Sequence, residues 1–224
     1  MTLVVSTLPR VLEPEGMDTP EEVVAYDAMD HGAVNIRFVE DFLAAQPDVS
    51  RVIDLGTGTA RIPLALWSLR SDARITAVDI SEAMLAVAAK NVVAAGAASA
   101  ITLALADAKH AGFTDESFTG VLSNSLVHHI SDPISFFRDS ARLVAEGGVL
   151  FVRDLIRPDG DAEVERLVAL YATQDTPEQR ALFEASLRAA LSIAEVKMLV
   201  GSAGLVDAAV EATSDRHWTL TWRR

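Results

Sequence analysis

Val52-Ile53-Asp54-Leu55-Gly56-Thr57-Gly58-Thr59-Ala60 reads as a buried strand that stops near an acid, turns on two glycines and runs into a helix. Glycine, lacking a Cβ, permits the tight turn and lets the backbone approach a ligand at the helix N-terminus. Outward from this stretch, apolar runs rich in Val, Ile and Leu recur. The first spans Arg51 to Leu55; the others are Arg74 to Val78, Ala100 to Ala106, Phe118 to Ser123 and Gly148 to Val152. Amphipathic stretches separate most of them, at about Val34 to Ala45, Thr59 to Leu69, Glu82 to Ala95 and Pro133 to Ala145. Short apolar strands alternating with such helices imply parallel strands covered on both faces by crossover helices, a doubly wound α/β sheet.

After Leu155 the rhythm changes. A mostly helical stretch to Leu205 includes a helix over Ala162 to Tyr171, and strand-like runs follow at Val206 to Thr213 and His217 to Trp222. Thr19-Pro20-Glu21-Glu22, Thr176-Pro177-Glu178-Gln179 and Ser192-Ile193-Ala194-Glu195 read as capping boxes that start three helices. One domain over 1–224 is expected. Residues 1–47 would form a helical lid, 51–154 a ligand-binding core, 155–205 a helical insertion over one sheet edge, and 206–224 a closing hairpin.

The net charge of -13 opposes a nucleic-acid partner and an anionic membrane surface. The absence of cysteine excludes disulfides, thiolate metal sites and cysteine nucleophiles, and fits a reducing compartment. Met1 to Leu8 is apolar, but Pro9 and Arg10 interrupt it and no basic leader precedes it, so it does not read as a signal peptide. No apolar run approaches the roughly 20 residues needed to cross a bilayer. A cytoplasmic protein, monomer or homodimer, is expected.

Ligands of an open parallel sheet bind outside the carboxyl ends of its strands. There this chain presents Asp54 before the glycine turn, Asp79 twenty-one residues after Gly58, Asp107, and Ser123-Asn124-Ser125. Asp79 suits the two hydroxyls of a ribose, and Asp107 a donor such as an adenine amino group. Each taken singly is equally a helix cap or turn residue. A dinucleotide-binding turn has a third glycine, where this chain has Arg61, and the acid before the turn opposes a pyrophosphate. A ligand carrying an ammonium and a sulfonium fits this pattern. S-adenosylmethionine has both, and NAD has neither.

Val52 to Ala60 resembles motif I of the class I S-adenosylmethionine-dependent methyltransferases, and Ala77-Val78-Asp79-Ile80-Ser81 resembles motif II. Ala106-Asp107-Ala108 is similar to the adenine-contacting segment, Phe118 to Ile130 to motif IV, and Leu143 to Leu150 to the turn into the fifth strand. The resemblance covers Arg51 to Asp154. It implies a mostly parallel seven-stranded sheet whose last strand, His217 to Trp222, is antiparallel. It also implies an S-adenosylmethionine site in which Asp54, Gly56 and Gly58 line the methionine end and Asp79 the ribose. Ile80 and Met84 would face the adenine, Asp107 and Ala108 its edge, and Asn124 the transferring group.

The implied activity is methyl transfer to a small-molecule acceptor by in-line displacement, where holding the acceptor in line supplies most of the acceleration. The alternative is a cofactor-binding regulatory or partner protein with little transferase activity. An oxygen or ammonium acceptor must lose a proton, which directs attention to His128 and His129 after the fourth strand. A structural role, capping or packing under the helix start at Ser131-Asp132-Pro133, is equally open for each. A metal pair is not expected, since adjacent positions point apart and no third ligand has recognisable spacing.

The chain lacks the Asp/Asn-Pro-Pro-Tyr pattern of relatives that methylate nucleobases or glutamine. Tyr26 and His31, in Tyr26-Asp27-Ala28-Met29-Asp30-His31, are lid candidates, Tyr26 also at the acceptor, unless this is a solvated helix face. Arg153-Asp154 either faces the acceptor or forms a structural ion pair with the lid. Asp159 to Glu165 lacks the glycine and glutamate of a calcium loop and reads as a turn with an acidic first helical turn. Ser123 and Ser125 lie outside a Gly-x-Ser-x-Gly elbow, and Trp218 with Trp222 reads as core packing.

Overall fold

Strand β1 (Val52–Leu55) is buried at all four positions because the sheet continues on both sides of it and helices cover both faces. It pairs in parallel with β2 (Ile75–Asp79) and with β4 (Phe118–Asn124). The computed structural model describes residues 8–13, 23, 27, 32–173 and 175–224. The other strands are β3 (Ile101–Leu105), β5 (Val144–Leu155), β6 (Ala209–Ala212) and β7 (His217–Arg223). They form one seven-stranded sheet in the order β3-β2-β1-β4-β5-β7-β6. The order reverses between β1 and β4, and only β7 runs antiparallel to its neighbours β5 and β6. The doubly wound sheet and the antiparallel closing strand expected from the sequence are both present.

Helices α1 (Gly32–Ala44), α2 (Arg61–Leu69), α3 (Glu82–Ala94) and α4 (Pro133–Leu143) connect the strands. Phe38, Val39 and Phe42 of α1 pack with Val52, Leu122 and Phe151 on one side. Phe136, Phe137 and Leu143 of α4 pack with Ile53, Val121, Leu150 and Trp218 on the other. Alternation along β1 divides Val52 from Ile53 in this way. α1 lies so close to β4 that a Cβ on Gly120 would come within 2.9 Å of Phe42 Cζ. Burial of each large apolar side chain contributes about 1.5–3 kcal/mol.

Two boundaries differ from the sequence expectation. Ala60 adopts φ 65°, so α2 begins at Arg61 rather than Thr59. β5 begins at Val144, directly after α4, where the sequence suggested Gly148. A register shift opposite Phe118 and Gly120 lets the strand absorb the turn-like Glu146-Gly147-Gly148.

Helices α5 (Asp161–Tyr171), α6 (Pro177–Ala189) and α7 (Ile193–Ser202) lie between β5 and β6 in the chain. The capping boxes at Thr176 and Ser192 are formed, each with both reciprocal hydrogen bonds. The box at Thr19 and the candidates Tyr26 and His31 lie outside the described residues. α5 and α6 pack on each other, and α6 meets the one-turn 3-10 helix Val127–His129 at the strand rim. α7 lies against α4 and β6. Trp218 is fully buried in the core and Trp222 packs against its edge. Among the described residues no helix is long and apolar enough to cross a membrane.

Candidate active site at the carboxyl rim of the sheet

The glycine turn is drawn onto the end of β2. The Gly56 and Thr57 amides both donate to the Val78 carbonyl, at 3.0 and 2.8 Å. The Gly58 amide donates to Asp79 Oδ2 at 2.7 Å, while Asp79 Oδ1 accepts the Ser81 amide at 2.9 Å. Asp79 thus ties the loop after β1 to the start of α3. Ser81, rather than Asp79, caps that helix by accepting the Met84 amide. Burial raises the Asp79 carboxyl above its ordinary range even against these bonds.

Asp54 is 1% exposed, and its Oδ2 has no hydrogen-bond partner among the described residues. Burial pushes its carboxyl up to about 7, the Thr57 hydroxyl holding it partly down and the Asp79 charge adding to the rise. In the glycine turn, the Thr59 hydroxyl is also buried without a hydrogen-bond partner among the described residues. Buried polar atoms in this state are costly unless a ligand completes them. An orphaned carboxylate oxygen suits a cationic donor, as the ammonium of S-adenosylmethionine would supply.

Ile80 is 50% exposed at the rim and offers an apolar face, whereas Met84 is only 7% exposed and presents little surface. Asp107, half-buried, accepts its own turn's Lys109 amide at 2.8 Å and pairs with Lys109 Nζ at 3.4 Å. Ala108 is buried beside it. Asn124 ends β4, half-buried. Ser125 next to it holds φ 54°, a conformation costly for a side-chain-bearing residue and concentrated at functional sites. The chain then folds Leu126 onto the glycine turn, so that a Cβ on Gly56 would sit 2.6 Å from Leu126 Cδ1. Ser123 is buried and donates to the Leu55 carbonyl.

The Val127–His129 turn brings its two imidazoles together rather than apart. Their ring centroids are 4.0 Å from each other with planes at 39°. His128 is 4% exposed; its Nδ1 lies 2.6 Å from Asp154 Oδ1, and its backbone amide donates to Asp154 Oδ2. Glu13 Oε2 faces both rings, 3.9 Å from His128 Nε2 and 3.5 Å from His129 Nδ1. Desolvation alone would depress the buried His128, but the Asp154 and Glu13 charges outweigh it and raise its pKa. Arg10 anchors the segment carrying Glu13 by donating to the carbonyls of His128 (3.1 Å), Ile130 (2.9 Å) and Ala189 (2.7 Å).

Residues 53–152 match the family model described as a methyltransferase domain. The core is a methyltransferase domain of class I architecture. Three comparisons bear on this domain. A malonyl-[acyl-carrier protein] O-methyltransferase of Geobacter sulfurreducens is 31% identical over 150 residues, 65% of this chain and 53% of that protein. A release factor glutamine methyltransferase of Cereibacter sphaeroides is 50% identical over 56 residues, 25% of this chain and 20% of that protein. The chain thus spans about half or less of the length of these curated relatives. The crystal structure of a putative S-adenosyl-L-methionine-dependent methyltransferase from Methanococcus maripaludis has the same fold. It superposes with a TM-score of 0.70 at 16% identity, covering 95% of this chain and 96% of that one.

Within the methyltransferase domain, the structure gathers Asp54, Gly56, Gly58, Asp79, Ile80, Asp107, Ala108 and Asn124 along successive strand ends. Arg153 takes the structural role: it pairs with Asp41 of α1 at 2.8 Å, bonds Thr219 and leans over Phe38. Asp154, on the opposite side of β5, turns to His128. Glu13 and Asp27 were not singled out from the sequence. Asp27 accepts Arg61 Nε at 2.9 Å and Asn91 Nδ2 at 3.1 Å, which holds Asp27 against the helices that follow the first two strands. Arg61, which occupies the third-glycine position, is therefore also a docking residue. No local pattern marks Glu13 or Asp27, because each meets its partners across a long stretch of chain.

Proposed function

We propose that this chain is an S-adenosylmethionine-dependent methyltransferase that passes a methyl group to a small-molecule nucleophile. The observation that carries the reading is the buried, unpartnered Asp54 carboxylate beside the Asp79-braced glycine turn. Asp54 would hold the ammonium of the methionine moiety, Asp79 the ribose hydroxyls, and Ile80 with Asp107 and Ala108 the adenine. The bound sulfonium supplies an already activated methyl, so the chain's own work is to place the acceptor in line and exclude water. Leu126 on the turn and the strap of residues 8–13 serve that exclusion at the β4 rim. Asp154, 2.6 Å from His128 Nδ1, would fix the orientation of that imidazole beneath the rim.

The acidic charge of -13 favours a small, cationic or neutral acceptor over a nucleic acid. The test is to incubate the protein with methyl-labelled S-adenosylmethionine and a cell extract separated into small-molecule and macromolecular fractions. Label in a new small molecule supports the reading. Label confined to protein or nucleic acid overturns the acceptor class, and no label in any fraction favours a cofactor-binding protein without transferase activity.

A further inference from the structure

We propose that Glu13, His128 and His129 form a binding site for one divalent transition-metal cation of the zinc type. One ligand atom from each lies within 4.8 Å of the other two. In a tetrahedral site with metal–nitrogen distances near 2.0–2.1 Å, ligand atoms sit about 3.3 Å apart. The separations from Glu13 Oε2 are 3.9 Å to His128 Nε2 and 3.5 Å to His129 Nδ1, and with the histidine nitrogens within 4.8 Å of each other the three side chains need only close inward to hold one ion.

Three further features fit a cation. Glu13 Oε2 is buried and has no hydrogen-bond partner among the described residues. One cation would engage both imidazoles and the carboxylate together. His128 is already held as a metal-bound histidine usually is, its far ring nitrogen 2.6 Å from a buried carboxylate, Asp154. Ser186 bonds the other Glu13 oxygen at 3.3 Å. Two carboxylates, Glu13 and Asp154, stand against one guanidinium, Arg10, so the neighbourhood stays negative. Two imidazoles and a carboxylate suit a borderline cation such as zinc or cobalt rather than calcium or magnesium. Three protein ligands leave a coordination position open, the arrangement of a site that binds a second molecule.

The site is independent of the S-adenosylmethionine reading and is tested with the metal alone. Tag-free protein, stripped with chelator, is titrated with cobalt(II) and followed by visible absorption, then with zinc by calorimetry. The expected result is one cobalt per chain with visible ligand-field bands. Affinity should weaken at least tenfold in Glu13→Gln and in His129→Gln and stay unchanged in His110→Gln, with folding of each variant verified by circular dichroism. Anomalous diffraction from zinc-soaked crystals should place the ion between the three side chains, which keeps the proposal testable if a variant fails to fold. No stoichiometric cobalt binding, equal affinity in the folded variants, or zinc located elsewhere overturns it.

Discussion

The Asp79 carboxylate accepts the Gly58 amide at 2.7 Å, across twenty-one residues of sequence. One side chain therefore fixes the loop of the first strand to the end of the second. Asp79→Ala removes that acceptor and leaves the Gly58 and Ser81 amides unbonded, so unfolding free energy should fall by about 1–3 kcal/mol. Asp79→Asn, which keeps an oxygen, should lose less. Chemical denaturation of both variants measures the difference, and equal losses would detach stability from this bond.

The raised Asp54 carboxyl gives the ligand-free protein a pH dependence of definite sign. Its folded value, about 7, lies above the ordinary 3.8. The protonated form is thus favoured by folding. The stabilisation is complete below 3.8 and is lost as pH rises through about 7, on the order of 4 kcal/mol at ~1.4 kcal/mol per unit. Asp54→Asn should flatten that slope in denaturation series across this range. Binding of S-adenosylhomocysteine, whose ammonium calls for the ionised acid, should run the other way. Its Kd should fall about tenfold per pH unit as pH rises towards 7 and then level off, and the variant should show no such trend.

Gly56 and Gly96 have nearly the same backbone, φ +74° and +73°, but different surroundings. A Cβ at Gly56 meets Leu126 Cδ1 at 2.6 Å, whereas Gly96 has nothing within 4 Å. Gly96→Ala should cost about 1 kcal/mol, the strain of the left-handed region alone. Gly56→Ala should cost 1–3 kcal/mol more, a typical overpacking cost, because Leu126 must leave its place. Thermal denaturation compares them, and equal losses would show that Leu126 yields freely.

Strand ends were legible in the sequence because an acid after a Val/Ile run and a glycine pair are local signals. Asp54, Asp79 and Asp107 could be placed without coordinates for that reason. The Glu13–His128 and Arg10–His128 contacts were not legible: they close loops of more than a hundred residues, and nothing in Leu12-Glu13 announces its partner. Alternation of side chains along an extended chain misled at His128-His129, where a 3-10 turn stacks the rings. It served well at Arg153-Asp154, where a true strand sends one side chain to α1 and the next to His128. Glu146-Gly147-Gly148 signalled a turn because the glycines are real breakers, and only the pairing of β5 with β4 and β7 holds the bulged segment in the sheet.

Arg61, about half exposed, pairs with Asp27 at 2.9 Å just after the glycine turn. Arg61→Ala should therefore change global stability by less than about 1 kcal/mol. It should raise hydrogen exchange at Val23 and Asp27 by severalfold through easier local opening. Exchange measured by mass spectrometry on peptides covering these residues reads the effect, and unchanged protection would place the anchoring elsewhere.

S-adenosylmethionine is expected to bind at the Asp54–Gly58 turn and Asp79. Calorimetric titration of S-adenosylhomocysteine into the wild-type protein and into folded Asp79→Ala tests it most directly. Saturable one-to-one binding in the micromolar range, abolished by Asp79→Ala, is the expected result. No binding by the wild type, or the same affinity in the variant, would contradict it.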